Sequence, residues 1–166
     1  MNGPAVRWIS EPGARELRAS CTRLGAVLIA AAVVLAALLV AVGLSLSTYG
    51  NALNAIAWPL GVMSTLPLLL SGVVLANARA HVRGEHLDLA GARKARRGLA
   101  VLWVCTCLSA LFAAGARLDA TRFGPQDRAL LPADWIYLLL LATAIVLGGV
   151  AFTAGRTLFR TTPPAR

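Results

Sequence analysis

Residues 24–78, LGAVLIAAAVVLAALLVAVGLSLSTYGNALNAIAWPLGVMSTLPLLLSGVVLANA, contain no Asp, Glu, Lys, Arg or His. A helix needs about 20 residues to cross a hydrocarbon core of roughly 30 Å, so this stretch is long enough for two crossings. The polar segment at residues 47–54 predicts the turn between them, because Gly and Asn favour tight turns. Two further uncharged segments, residues 98–116 and 135–155, bring the predicted spans to four.

The fold class follows from these segments and from the composition. Hydrophobic residues make up 58% of the 166-residue chain, charged residues make up 14%, and the mean hydropathy is +0.71; soluble domains carry roughly 25% charge. We predict an all-α integral membrane protein, an antiparallel bundle of four transmembrane helices at about residues 24–46, 55–78, 98–116 and 135–155. Residues 1–23 and 156–166 are the predicted cytoplasmic N-terminal segment and tail, around a transmembrane domain of residues 24–155.

The distribution of basic residues predicts the orientation. The net charge is +9, and thirteen of the sixteen Lys and Arg residues fall in the N-terminal segment, the connection between spans two and three, and the tail. By the positive-inside rule these three regions are cytoplasmic. The predicted membrane orientation therefore accounts for the excess of positive charge, and we expect no nucleic-acid partner. The Arg- and Ala-rich composition with a single Lys indicates a bacterial, multi-pass protein of the plasma (inner) membrane.

A basic cluster directly precedes the third span and contains Arg93, Lys94, Arg96 and Arg97. Basic side chains beside a transmembrane helix attract anionic headgroups, at about 1 kcal/mol per residue. We therefore expect this cluster to contact anionic lipid on the cytoplasmic side. Whether the central loop also has a specific ligand stays open.

The second span contains a proline and several hydroxyl side chains that are expected to bend its helix. Pro67 lies in its middle and should kink it, while Ser64, Thr65 and Ser71 are placed to satisfy the freed backbone groups. We interpret the kink as a packing device, with a gate as the alternative. Near the end of this span, Asn77 is expected to be partly buried against a neighbouring helix or backbone group.

Small residues four positions apart let helices approach closely in lipid. The second span has Gly72-x-x-x-Ala76, and the fourth has Ala144-x-x-x-Gly148; the first has such pairs at positions 32 and 36, and at 37 and 41. Two interpretations of these pairs remain: they pack helices within one chain, or they associate with a helix of another chain.

No ionisable side chain lies within the four predicted spans, whereas proton relays and ion-coupled carriers need such groups. The two histidines, His81 and His86, lie in the central loop, five residues apart and close to several arginines, which disfavours a metal site. Cys105 and Cys107 lack the C-x-x-C spacing of redox motifs. We therefore predict no catalytic, cofactor-binding or metal-binding residues.

These observations favour a non-enzymatic role. The first hypothesis is a scaffold, accessory or assembly subunit of a membrane complex that associates with other membrane subunits or with itself. The alternative is a pore or carrier for an apolar or lipid-like substrate, motivated by the polar groups around Pro67.

Overall fold

The computed structural model describes residues 6–47, 52–122 and 130–159. Residues 48–51 of the predicted turn and residues 160–166 of the tail therefore lie outside the described residues. The described part contains five α-helices, three short strands and a single 3-10 turn (Arg79–His81). In chain order, the helices and strands are β1 (Val6–Trp8), α1 (Glu11–Ser47), α2 (Ala52–Met63), α3 (Thr65–Ala78), β2 (Val82–Arg83), β3 (His86–Asp88), α4 (Leu89–Arg122) and α5 (Pro132–Leu158).

Four helical segments are long and apolar enough to cross a membrane: Glu11–Leu46, Trp58–His81, Leu89–Thr121 and Pro132–Leu158. Each contains one of the four predicted uncharged segments, or most of it. The protein is therefore a predominantly helical, multi-pass membrane protein. Helices α1 and α4 are longer than a crossing requires: 37 and 34 residues at 1.5 Å each give about 50–55 Å.

One stripe of buried residues runs along the whole of α1. Its members recur every three or four residues, the spacing that keeps side chains on one face of a helix; they are Ala14, Leu17, Cys21, Gly25, Leu28, Ala32, Leu35, Leu39, Gly43 and Leu46. The half from Leu28 onward packs into the main core, which also includes Leu68, Leu75, Leu99 and Leu141. The first half belongs to a separate, smaller core.

The smaller core lies under a three-stranded antiparallel sheet that the sequence did not predict. Strand β3 is central, pairing with β1 (Arg7 opposite Leu87) and with β2 (Arg83 opposite His86). Gly84, at the β2–β3 turn, has a φ of +58°, which glycine adopts without steric cost. We call this part of the molecule the sheet end. The last described residue, Phe159, is also buried there, so strand β1, the central connection and the end of α5 come together.

The second span is interrupted at Ser64, between α2 and α3. Pro67 explains the position, because its ring nitrogen has no hydrogen to donate to the carbonyl of Met63. Nearby hydroxyl groups donate to other backbone carbonyls on either side of the break: Ser64 Oγ to Gly61 at 2.6 Å, and Ser71 Oγ to Pro67 at 2.8 Å. Side chains of the span itself therefore add hydrogen bonds around the break.

Candidate functional site

A buried ion pair joins the end of α4 to the start of α5. Arg117 is 2% exposed and Asp134 is 0% exposed. The Arg117 Nε–H donates to Asp134 Oδ1 at 2.6 Å, and a terminal guanidinium nitrogen of Arg117 also contacts that oxygen. The second carboxylate oxygen, Oδ2, accepts from the backbone N–H of Leu131 at 2.8 Å, which caps the first turn of α5. The Asp134 carboxylate therefore binds the Arg117 guanidinium group and also caps the start of α5.

Tyr137 extends this arrangement to a third helix. It lies one turn after Asp134 and is 1% exposed, and its hydroxyl group lies against the backbone of Gly61 in α2. A Cβ at position 61 would overlap that hydroxyl oxygen, so glycine is needed for this contact. The ion pair and Tyr137 together fix α2, α4 and α5 to one another at the end of the molecule opposite the sheet end.

The sequence did not single out this pair. Arg117 and Asp134 directly border the predicted uncharged segments 98–116 and 135–155. In the structure both lie on the buried stripes of their helices. On α5 that stripe consists of Asp134, Tyr137, Leu141, Ala144, Gly148, Ala151 and Gly155. The three- and four-residue spacing continues unbroken from the apolar residues to Asp134, and this was the signal available in the sequence.

An apolar groove runs between α2 and α4. Its volume is about 590 Å³, and it is lined by Leu60, Leu108, Leu111, Phe112, Gly115, Ala116 and, at its polar end, Asp119. The side chains of Leu108, Leu111 and Phe112 are all exposed. The groove therefore opens on the outer surface of α2 and α4.

The four predicted lipid-contacting residues divide between two surfaces. Arg93, Arg96 and Arg97 line a cleft of about 390 Å³ together with Arg156 of α5, a residue that the sequence did not associate with them. Lys94 lies on another face of α4, where it lines a depression with Asn77 and His81. The structure therefore brings three of the four predicted residues together and adds one from a different helix.

Small residues allow close contacts between the helices. A Cβ at Gly25 of α1 would lie 2.7 Å from the backbone nitrogen of Ala76 and 2.7 Å from the carbonyl oxygen of Gly72, so α1 and α3 meet backbone to backbone. On α5, Ala144 is fully buried, and a Cβ at Gly148 would lie 3.0 Å from the Trp103 ring. These predicted packing residues all contribute to contacts within the chain.

Asn77 is exposed, contrary to the expected partial burial. The buried residues of α3 are Thr65, Leu68, Ser71, Gly72, Leu75 and Ala78. The centre of that face is near Leu75, about 200° around the helix from Asn77, at 100° per residue. The small-residue pair Gly72 and Ala76 lies towards one edge of this buried face, so it does not mark its centre.

The two histidines of the central connection take separate positions. The His86 ring contacts the Trp8 ring in a tilted arrangement, with centroids 3.8 Å apart and planes at 47°, while His81 Nδ1 lies 3.6 Å from Asp88 Oδ2. Asp88 Oδ1 accepts from the N–H of Ala90 at 2.9 Å. Hydrogen bonds from the backbone of Gly91 and, to a smaller extent, of Ala90 lower the pKa of Asp88. Among the described residues, no three His, Cys, Asp or Glu side chains gather as metal ligands would.

The chain matches no protein family model, and neither the curated proteins nor the solved structures include one that is detectably similar to it.

Proposed function

We propose that the protein is a non-enzymatic scaffold, accessory or assembly subunit that associates with other membrane subunits or with itself. The observation that supports this role is the small-residue pair at Ala37 and Ala41 of α1. Both side chains are exposed, whereas Ala32, on the buried stripe of the same helix, is 1% exposed. Small residues allow a second helix to approach closely, and such packing drives helix association in lipid.

The surrounding exposed residues suit the same contact. Ala30, Val34, Ala37, Ala41 and Leu44 are all exposed and recur every three or four residues. A helix seam has this spacing, with small residues where the backbones cross. We call these five residues the α1 seam, and we propose that it packs against a transmembrane helix of another chain.

Purification from the native membrane in a mild detergent tests this proposal. We expect a stoichiometric membrane partner or a defined homo-oligomer, and we expect Ala37→Leu combined with Ala41→Leu to dissociate it. Ala142→Leu is the matched control, because Ala142 is an exposed alanine on α5. A monodisperse monomer without a partner, or equal dissociation by the control, would contradict the proposal.

We further propose an antiparallel four-helix bundle with both termini in the cytoplasm, in the inner membrane of a bacterium. Two observations support this arrangement. Strand β1, the central connection and Phe159 meet at the sheet end, so they belong on one side of a membrane. The same end carries Arg93, Lys94, Arg96, Arg97 and Arg156, the excess of basic residues that marks cytoplasmic segments.

The apolar groove supports a second candidate function, a carrier for an apolar or lipid-like substrate. It opens sideways between α2 and α4 and ends at Asp119, so its lining changes from apolar to polar along its length. Lipid movement between the leaflets of reconstituted liposomes tests this function. A Cβ at Gly115 would meet nothing within 4 Å. We therefore expect Gly115→Leu to fill the groove and slow a carrier without unfolding it, whereas transport equal to that of protein-free liposomes would exclude this candidate.

A further inference from the structure

The basic cleft between α4 and α5 has the properties of a ligand site. Arg93, Arg96 and Arg97 lie at positions i, i+3 and i+4 of α4, which places them on one face of the helix. Arg156 reaches the same cleft from α5. Lys94 is rotated by about 100° from Arg93 and lies outside the cleft. Helix geometry, and not the abundance of basic residues alone, therefore gathers four guanidinium groups.

The apolar part of the cleft consists of Ala100 and Phe152. The Phe152 ring is stacked on Trp103, with centroids 5.4 Å apart and planes at 13°. The Trp103 indole N–H in turn donates to the carbonyl of Ile145 at 3.3 Å. The Cζ atom of Arg156 lies 5.6 Å from the centre of the Phe152 ring. A supported aromatic surface therefore adjoins the guanidinium groups, and the cleft offers charge on one side and an apolar wall on the other.

The cleft also lies at a defined depth along the helices. Arg96 and Arg97 directly precede the uncharged residues 98–116 of α4, and Arg156 directly follows the uncharged residues 135–155 of α5. Uncharged segments of this length occupy the hydrocarbon region, and the charges that bound them lie at the headgroup level. Ala100 and Phe152 are one turn further towards the hydrocarbon region.

The positive charge of the cleft is not balanced within the described part of the chain, where none of the four arginines forms an ion pair with a carboxylate. Guanidinium groups bind phosphate oxygens with two parallel hydrogen bonds, and basic pockets between transmembrane helices bind phospholipid headgroups. We infer that this cleft binds an anionic phospholipid, with its phosphate among Arg93, Arg96, Arg97 and Arg156 and the start of an acyl chain along Ala100 and Phe152.

Lipid binding to the full-length protein in a neutral detergent tests this inference. The probes are phosphatidylglycerol, which has one phosphate, cardiolipin, which has two, and the zwitterionic phosphatidylcholine; dissociation constants are measured by native mass spectrometry or by microscale thermophoresis. We expect both anionic lipids to bind more tightly than phosphatidylcholine, and less tightly as salt increases. Arg97→Gln and Arg156→Gln should each weaken binding about fivefold, as expected from a basic residue at a membrane surface.

Lys94→Gln is the matched control, since it removes the same charge at the same level of α4 but outside the cleft. We expect it to leave the affinity within about twofold of the wild type, because nearest contacts dominate screened charge interactions. The inference is overturned if Lys94→Gln weakens binding as much as Arg97→Gln does, or if phosphatidylcholine binds as tightly as phosphatidylglycerol. Glycerol 3-phosphate distinguishes a free phosphate from a lipid: equal affinity for this soluble anion would overturn the assignment to a lipid.

Discussion

Arg117 and Asp134 form an ion pair that is enclosed by protein, with 2% and 0% of their side chains exposed. Transferring two charges out of water costs several kcal/mol per ion, and only good geometry and further hydrogen bonds offset that cost. The Asp134 carboxylate has such further hydrogen bonds, since it accepts from the Arg117 Nε–H and also caps α5 through the Leu131 N–H. Because a buried charge cannot slide against apolar side chains without losing its partner, the pair fixes the relative position of α4 and α5.

Removing one member of this pair should be far more damaging than removing both. We expect Asp134→Asn to destabilise the protein by about 3–5 kcal/mol, because it leaves the Arg117 cation buried without its anion. Asp119→Asn is the control: it makes the same chemical change at an exposed position of α4, and we expect an effect within about 0.5 kcal/mol.

The double variant Arg117→Met with Asp134→Leu should be less destabilised than Asp134→Asn alone, because no unpaired charge then remains in the interior. Reversible unfolding in mixed micelles measures all these free energies. If the double variant costs as much as the sum of the two corresponding single substitutions, the two side chains do not act as a pair.

The contact between α1 and α3 depends on the absence of a side chain at Gly25. We expect Gly25→Ala to destabilise the protein by about 1–3 kcal/mol, the typical cost of overpacking, because the new methyl group would lie 2.7 Å from backbone atoms of Ala76 and Gly72. Gly98→Ala is the matched control in α4, where a Cβ meets nothing within 4 Å. There we expect up to about 1 kcal/mol of stabilisation from helix propensity. Thermal unfolding of the two variants should therefore shift in opposite directions, and shifts of the same sign would disprove this reading.

Asp88 should contribute a pH-dependent part of the stability of the sheet end. Hydrogen bonds from the backbone of Gly91 and of Ala90 lower its pKa in the folded state. A carboxyl group with a lowered pKa stabilises the fold above its ordinary pKa of about 3.9 and loses that contribution as the pH falls through the lowered value. We therefore expect Asp88→Ala to lower the melting temperature at neutral pH, and we expect its difference from the wild type to shrink below about pH 4.

Glu85→Ala is the control for this experiment, because Glu85 is an exposed carboxylate in the neighbouring β2–β3 turn. Its melting temperature should follow that of the wild type at each pH. A difference for Asp88→Ala that stays constant from pH 7 to pH 3 would show that the carboxylate charge is not involved.

The sequence predicted the spans well because each is an uncharged run, and burial of such runs in lipid does not depend on what they pack against. The buried faces were harder to predict. In lipid an apolar side chain is acceptable on either face of a helix. Hydropathy alone therefore did not show that Asn77 lies on the side of α3 opposite its buried face. The buried face of α5, from Asp134 to Gly155, could be predicted only if the three- and four-residue spacing of its small and apolar residues was extended to the charged Asp134.

The sheet end and the basic cleft were missed for a different reason. Strands β1, β2 and β3 are two or three residues long, too short for alternation of polar and apolar residues to be recognised. The pairing of β1 with β3 also depends on contacts across about 80 residues of sequence, since Arg7 lies opposite Leu87. Arg156 joins Arg97 only through the packing of α5 on α4, which a search for local basic clusters does not consider.

The sheet end should be accessible only from the cytoplasm if the proposed orientation is correct. In a background with Cys21, Cys105 and Cys107 replaced, single cysteines at Glu85 and Asp119 report the two ends, because both positions are exposed. A membrane-impermeant maleimide applied to intact cells should label Asp119→Cys, whereas Glu85→Cys should react only after the membrane is permeabilised. The reverse pattern would invert the orientation, and equal labelling of both positions in intact cells would contradict placing them on opposite sides of the bilayer. Denatured samples, in which both cysteines must react, provide the control for intrinsic reactivity.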